Sequence, residues 1–193
     1  NYKSLFLLDS KITYLNHGSF GARPKPIFDS LILWQKKLEK DPVKHLAFNI
    51  LGNLKNSREA LSKYLNCHMD DIVFFPNPST ALNTVIKSLV LKKDDEILTS
   101  NHEYGALDRT WNFICKKTGA KYVKQKISLP LKSEETFLNS FLSGFTKKTK
   151  VIFLSHITSS TGLIFPVEEI CKFAKEHNTL CIIDGAHVPG HIT

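Results

Sequence analysis

Polar and apolar positions in this chain alternate between two rhythms. Amphipathic helical stretches run from about Pro26 to Lys40, opened by a proline that follows "NHGSFGAR", and from about Leu51 to Tyr64. In "STALNTVIKSLVL", Ala81, Leu82, Val85, Ile86, Leu89 and Val90 recur at helical spacing, which gives that helix one apolar face. Between helices stand short apolar runs with strand character: "DIVFFP", closed by Pro76, then "EILTS", "KYVKQKI", "VIFLSHI" and "LCIIDGA". Helices predicted over about Ala106–Lys117, Glu134–Leu142 and Val167–His177 separate the last four.

Strand and helix in turn predict an α/β fold with a mostly parallel sheet, because parallel neighbours need long crossovers and those crossovers cover both faces. The near-continuous apolar runs Val151–Leu154 and Leu180–Ile183 read as strands buried on both sides. A length of 193 residues suits one domain with a real core, and no internal repeat or low-complexity linker interrupts it. In such sheets ligands gather at the carboxyl ends of the strands. That directs attention to Asn77–Thr80, His102–Tyr104, Ser155–Ser160 and Asp184–His187, each of which follows a predicted strand.

Composition narrows the setting. No apolar run approaches the roughly 20 residues of a membrane span, and "NYKSLFLL" lacks the apolar length and the cleavage site of an export signal. A soluble, cytoplasmic protein is the expectation. Cys67, Cys115, Cys171 and Cys181 form no CxxC pair and are expected as reduced, buried thiols. The net charge of +8 would attract anions, yet the lysines fall in short groups such as "QKKLEK" and "TKKTK" at helix ends and loops. No nucleic-acid motif accompanies them, so no nucleic-acid partner is expected.

The strand-end segments carry the chemistry. In "NPSTA", Ser79 or Thr80 would cap the following helix, and the N–H groups of Ser79, Thr80 and Ala81 with two hydroxyls would suit a phosphate. Plain capping explains the same residues. Asp184 in "DGAH" ends a buried strand and needs a partner, either a cationic ring nitrogen, a lysine, or the turn through Gly185. "SHITSSTG" crowds Ser155, His156, Thr158, Ser159 and Ser160 at a third strand end, as a site or as a polar turn. Tyr104 in "HEYGA" offers a flat ring that lies against a cofactor or packs in the core. A phosphate cradle, a planar platform, hydroxyls and a carboxylate together match pyridoxal 5′-phosphate, whose pyridinium nitrogen calls for an acid.

The segments "YLNHGSFGA", "DPVKHL", "NPSTALNTVIKSL", "HEYGA", "LSHITSSTGLIFPVEEI" and "IIDGAHVPG" resemble the class V aminotransferase family, and more closely its isopenicillin N epimerase-like branch, related to cysteine desulfurases. The resemblance runs from about Tyr14 to Gly190. It implies the large domain of the pyridoxal-phosphate transferase fold (fold type I), incomplete at its carboxyl end, with residues 1–193 as one cofactor-binding domain and about 1–23 leading into it. It further implies that Ser79, Thr80 and Ala81 hold the phosphate, Tyr104 covers one ring face, Ser159 stands near the ring hydroxyl, Asp184 binds the pyridine nitrogen and His187 bonds the ring oxygen. Asn16 and His17 fall in the segment that borders the substrate. The implied activity is at the α-carbon of an amino acid, in a homodimer.

Pro78 departs from the alanine usual in "NAT"-type versions and removes a backbone donor. The family's covalent lysine and its substrate-carboxylate arginine are expected beyond Thr193, so a catalytically incomplete module is the alternative to an enzyme. A metal-dependent hydrolase using His102, Glu103, His156, Asp184 and His187 is a further alternative; these residues lack the close spacing of zinc signatures, so no metal is expected.

Overall fold

A computed structural model describes residues 2–192. The chain divides into two compact units, Asn1–Phe74 and Phe75–Thr193. The first contains helix α1 (Lys25–Lys40) and helix α2 (Ile50–Leu65), the latter entered through a wide helical turn over Lys44–Asn49. Pro26 sits in the first turn of α1, where a missing N–H removes no helical bond. Asn66 ends α2 in the left-handed region, φ 51°, with its N–H on the Ser62 carbonyl. None of the described residues of this unit is fully buried.

The second unit is built on a four-stranded parallel sheet in the order β2-β1-β3-β4. Its elements are α3 (Pro78–Ser88), β1 (Glu96–Ser100), α4 (Gly105–Thr118), β2 (Lys121–Gln125), α5 (Glu134–Leu142), β3 (Thr149–Ser155), α6 (Val167–Glu176) and β4 (Leu180–Asp184). From β1 the chain steps outward to β2, then returns past β1 to β3 and β4. Right-handed crossovers in opposite directions place their helices on opposite faces. One face accordingly packs Ile86 of α3 and Leu107, Trp111 and Ile114 of α4 on Ile97, Val151, Phe153 and Ile182. The other packs Phe137 and Phe141 of α5 and Ile170 and Ala174 of α6 on Leu98, Ile152 and Leu154.

Three expectations change. "DIVFFP" forms no strand: Ile72–Phe75 has no regular structure, no described strand pairs with it, and Val73 is 72% exposed. A strand is made by its neighbour, and apolar content alone does not supply one. Val151–Leu154 is buried on both sides as expected, but β4 is an outer strand of the described sheet and its Leu180 is 45% exposed. Of the cysteines only Cys115 is buried; Cys67 and Cys171 are exposed and Cys181 is partly so.

Candidate functional site

The reversal of strand order lies between β1 and β3, and in open α/β sheets the crevice beyond that switch point is where ligands bind. Glu103 spans it. The Ser100 hydroxyl at the end of β1 donates to Oε1 at 2.6 Å, and the Ser155 N–H and hydroxyl at the end of β3 donate to Oε2 at 2.8 and 2.7 Å. Burial pushes the Glu103 carboxyl above the ordinary glutamate value, and these three donors oppose that shift. The loop carrying it is pinned from β2's side: Asn101 Oδ1 accepts from the Ile127 N–H at 2.7 Å, and the His102 Nε2 meets the Ile127 carbonyl at 2.9 Å. His102 is thus a structural hydrogen bonder.

Tyr104 follows directly and starts α4, whose first N–H groups, from Leu107 and Asp108, bond its carbonyl. The residue is 46% exposed, so its ring does not belong to the core.

The start of α3 corrects the capping assignment. Asn77 is the cap: its Oδ1 accepts from the Thr80 N–H at 2.8 Å, and its carbonyl accepts from the Ala81 N–H at 3.2 Å. Two of the three N–H groups expected to serve a phosphate are therefore engaged within the helix start. The Ser79 N–H and the hydroxyls of Ser79 and Thr80 are the groups left for a ligand, beside an open hollow of about 300 Å³ that Asn83, Thr84 and Lys87 complete. Helix α3 lies against α4: the Thr110 hydroxyl donates to Asn83 Oδ1 at 3.0 Å, and Asn83 and Lys87 share a second hollow with Ala106, Arg109, Thr110 and Phe113.

Asp184 closes β4 in register with Ser155 and is 6% exposed. Its Oδ1 accepts from the Ala186 N–H at 3.0 Å, which is the turn-capping reading. None of the ion pairs of the described residues reaches it. Burial raises its pKa, while the Ala186 N–H and the nearby His187 act in the opposite sense. A buried acid without a full cationic partner is suited to receive one. His187 is half-buried in the turn that follows.

The polar segment after β3 is a tight turn. Thr158 is buried, its hydroxyl accepts from the Leu163 N–H at 3.0 Å and meets the Thr161 hydroxyl at 2.6 Å, and Ser159 lies exposed at the tip. A plain Ser/Thr turn accounts for Thr158; Ser159 retains an exposed side chain.

The family profile described as Aminotransferase class-V matches residues 24–193. The chain belongs to that family. Relatives within or near the class V aminotransferases include the isopenicillin N epimerases of Amycolatopsis lactamdurans, 30% identical over 98% of this chain and 48% of the relative, and of Streptomyces clavuligerus, 29% identical over 96% and 47%. A probable cysteine desulfurase of Pyrococcus abyssi is 25% identical over 96% of this chain and 46% of its own length. Among solved structures, the cystine C–S lyase C-DES in complex with cysteine persulfide superposes with a TM-score of 0.84 at 22% identity, over 100% of this chain and 51% of that one. A cysteine desulfurase of Escherichia coli gives 0.82 at 20% identity, over 99% and 49%. These establish the large-domain fold of the class V aminotransferases, and the chain spans about half the length of the relatives it matches.

Within the second unit the fold brings Glu103 and Tyr104, Ser155 and Asp184 to the carboxyl edge of one sheet, after β1, β3 and β4. Asn16 and His17 belong to the first unit and have local partners there. The Asn16 carbonyl accepts from the Phe20 N–H at 3.1 Å, and the His17 ring packs edge-on against Tyr14 at 4.8 Å. The sequence points to Glu103 only as a metal ligand; among the described residues no group of three or more His, Cys, Asp or Glu is placed to hold a metal.

Proposed function

We propose that this class V chain forms the cofactor-binding part of an enzyme that acts with pyridoxal 5′-phosphate at the α-carbon of an amino acid. The observation that carries the reading is Asp184, a carboxylate buried at a strand end beside the switch point with a single turn N–H on Oδ1. One structural neighbour, at a TM-score of 0.81, is C-DES with glycine covalently linked to its pyridoxal-phosphate cofactor, and that supports the same assignment here.

The residues present fit that group. The Ser79 N–H, the Ser79 and Thr80 hydroxyls and the positive end of α3 take the phosphate, with the Ala81 N–H contributing only through the helix it belongs to. The exposed ring of Tyr104 offers a face to the pyridine. Asp184 holds a proton at the ring nitrogen, because a pyridinium restores to the buried carboxylate the counter-charge it lacks. His187 and Ser159 are the residues of this unit that would hold the ring oxygen. Bound there, the cofactor supplies an electron sink for charge developing at the substrate's α-carbon.

Epimerisation, transamination and carbon–sulfur cleavage share these residues and differ in which group next gives or takes a proton. The two epimerases at 29–30% identity favour the epimerase-like branch, and a cysteine desulfurase or C–S lyase is the alternative. We read the chain as part of one large domain of a cytoplasmic homodimer with an amino acid substrate and no nucleic-acid partner.

Pyridoxamine 5′-phosphate tests the reading, since it carries the ring and phosphate but no aldehyde to react with surface lysines. Calorimetric titration is expected to show one saturable site, weakened at least about tenfold, or about 1.4 kcal/mol, by Asp184→Ala and by Ser79→Ala with Thr80→Ala. Equal affinity in all three proteins would refute the assignment of these residues.

A further inference from the structure

We propose that Cys171 and Cys181 form a dithiol that closes to a disulfide between helix α6 and strand β4, a modification site separate from the cofactor-binding residues. The two sulfurs lie 3.7 Å apart, at van der Waals contact. They stand on elements that pack directly against one another and are joined by a short connection, so the backbone already holds the pair together. An S–S bond is ~2.0 Å long, so from contact the two sulfurs have less than about 2 Å left to close.

The two thiols differ in a way that sets the order of reaction. Cys171 is exposed on α6 and open to an oxidant in solution. Cys181 is partly buried in β4, and burial together with the neighbouring Cys171 sulfur pushes its thiol up to about 12, so it is a poor first nucleophile. Glutathione disulfide is a sufficient oxidant. The Cys171 thiolate attacks one of its sulfurs and releases one glutathione thiol, giving a mixed disulfide. The Cys181 sulfur, after losing its proton to solvent, then attacks the Cys171 sulfur and expels the second glutathione. Two protein thiols are oxidised, one glutathione disulfide is reduced to two thiols, and no other reactant is consumed.

The other cysteines do not offer this chemistry. Cys115 is buried on α4 with its thiol raised to about 11 by desolvation, and Cys67 is exposed at the carboxyl end of α2, in the other unit. Cys181 stands three residues before Asp184 on the same strand, so the bond would fix α6 to the strand that carries the buried acid.

Trypsin separates the two cysteines, because Lys172 and Lys175 lie between them. The folded protein is incubated with excess glutathione disulfide, alkylated, digested and weighed by mass spectrometry. The expected product is a linked pair of the peptides 151–172 and the one beginning at Glu176, with two thiols lost per chain. Cys67→Ser leaves the linked pair intact, and Cys171→Ser abolishes it and leaves Cys181 alkylated. Stable glutathionylation of Cys171 with Cys181 still alkylated, or linkage of either to Cys67, would overturn the proposal. Because the readout is made on the unmutated protein, a variant that fails to fold leaves the result unaffected.

Discussion

Both units of this chain are rich in amphipathic helix, yet they bury very different amounts of it. In Phe75–Thr193, Ile86, Leu107, Trp111 and Phe137 are at most 1% exposed because a parallel sheet presents an apolar surface to each helix face. In Asn1–Phe74, Leu33 and Trp34 of α1 and Leu51 of α2 remain 46–76% exposed although they lie in helices of the same kind. Helical periodicity therefore forecasts an apolar stripe, while the depth of its burial depends on what the fold sets against it. The candidate chemistry at the strand ends follows the same division and sits on the unit that holds the buried core.

Core substitutions should break that contrast most strongly. Phe153→Ala removes a ring packed on Trp111 at 5.6 Å and is expected to cost about 3–5 kcal/mol in denaturant unfolding. Trp34→Ala, on the other unit, should cost less than about 1 kcal/mol, since the residue is 46% exposed. Comparable losses would mean that α1 is as deeply packed as the sheet.

Within the sheet unit, Ser155→Ala takes a hydroxyl donor from the buried Glu103 and should destabilise by about 1–3 kcal/mol. Glu103 and Asp184 also give stability a pH dependence. Both carboxyls are raised in the folded state, chiefly by burial, so the folded chain binds their protons more tightly than the unfolded chain does. The stability tied to those protons is full below the ordinary carboxylate range and is lost as pH rises through the raised values. Glu103→Gln should flatten the decline above that range, and an unchanged slope would remove Glu103 as its source.

A smaller effect within the sheet unit sharpens the view of the phosphate end. Asn77→Ala deletes the cap of α3 and should cost about 1 kcal/mol while freeing the Thr80 N–H. A loss near zero would show that the cap is satisfied otherwise.

Much of the sheet unit is legible in the sequence, for physical reasons that also explain the misses. Strand β3 and helices α5 and α6 announce themselves because a parallel sheet demands apolar runs such as Val151–Leu154 separated by crossovers. "DIVFFP" is also rich in apolar residues, but no described strand pairs with it, and no local window contains the neighbour that makes a strand. Asn77, Ser79 and Thr80 are all capping residues, and Pro78 between them is the available signal: proline favours the first helical position, which leaves Asn77 as the cap. Glu103 joins Ser100 to Ser155, 52 residues further along the chain, and only the strand order brings those ends together.

The central claim is that Asp184 meets a pyridine nitrogen. Pyridoxamine 5′-phosphate labelled with ¹⁵N in its ring, bound to the protein and observed by NMR, reports that contact directly. A protonated nitrogen is expected in the unmodified chain at a pH above the free ligand's ring titration, and a neutral one in Asp184→Asn. The same ¹⁵N shift in both proteins would contradict it.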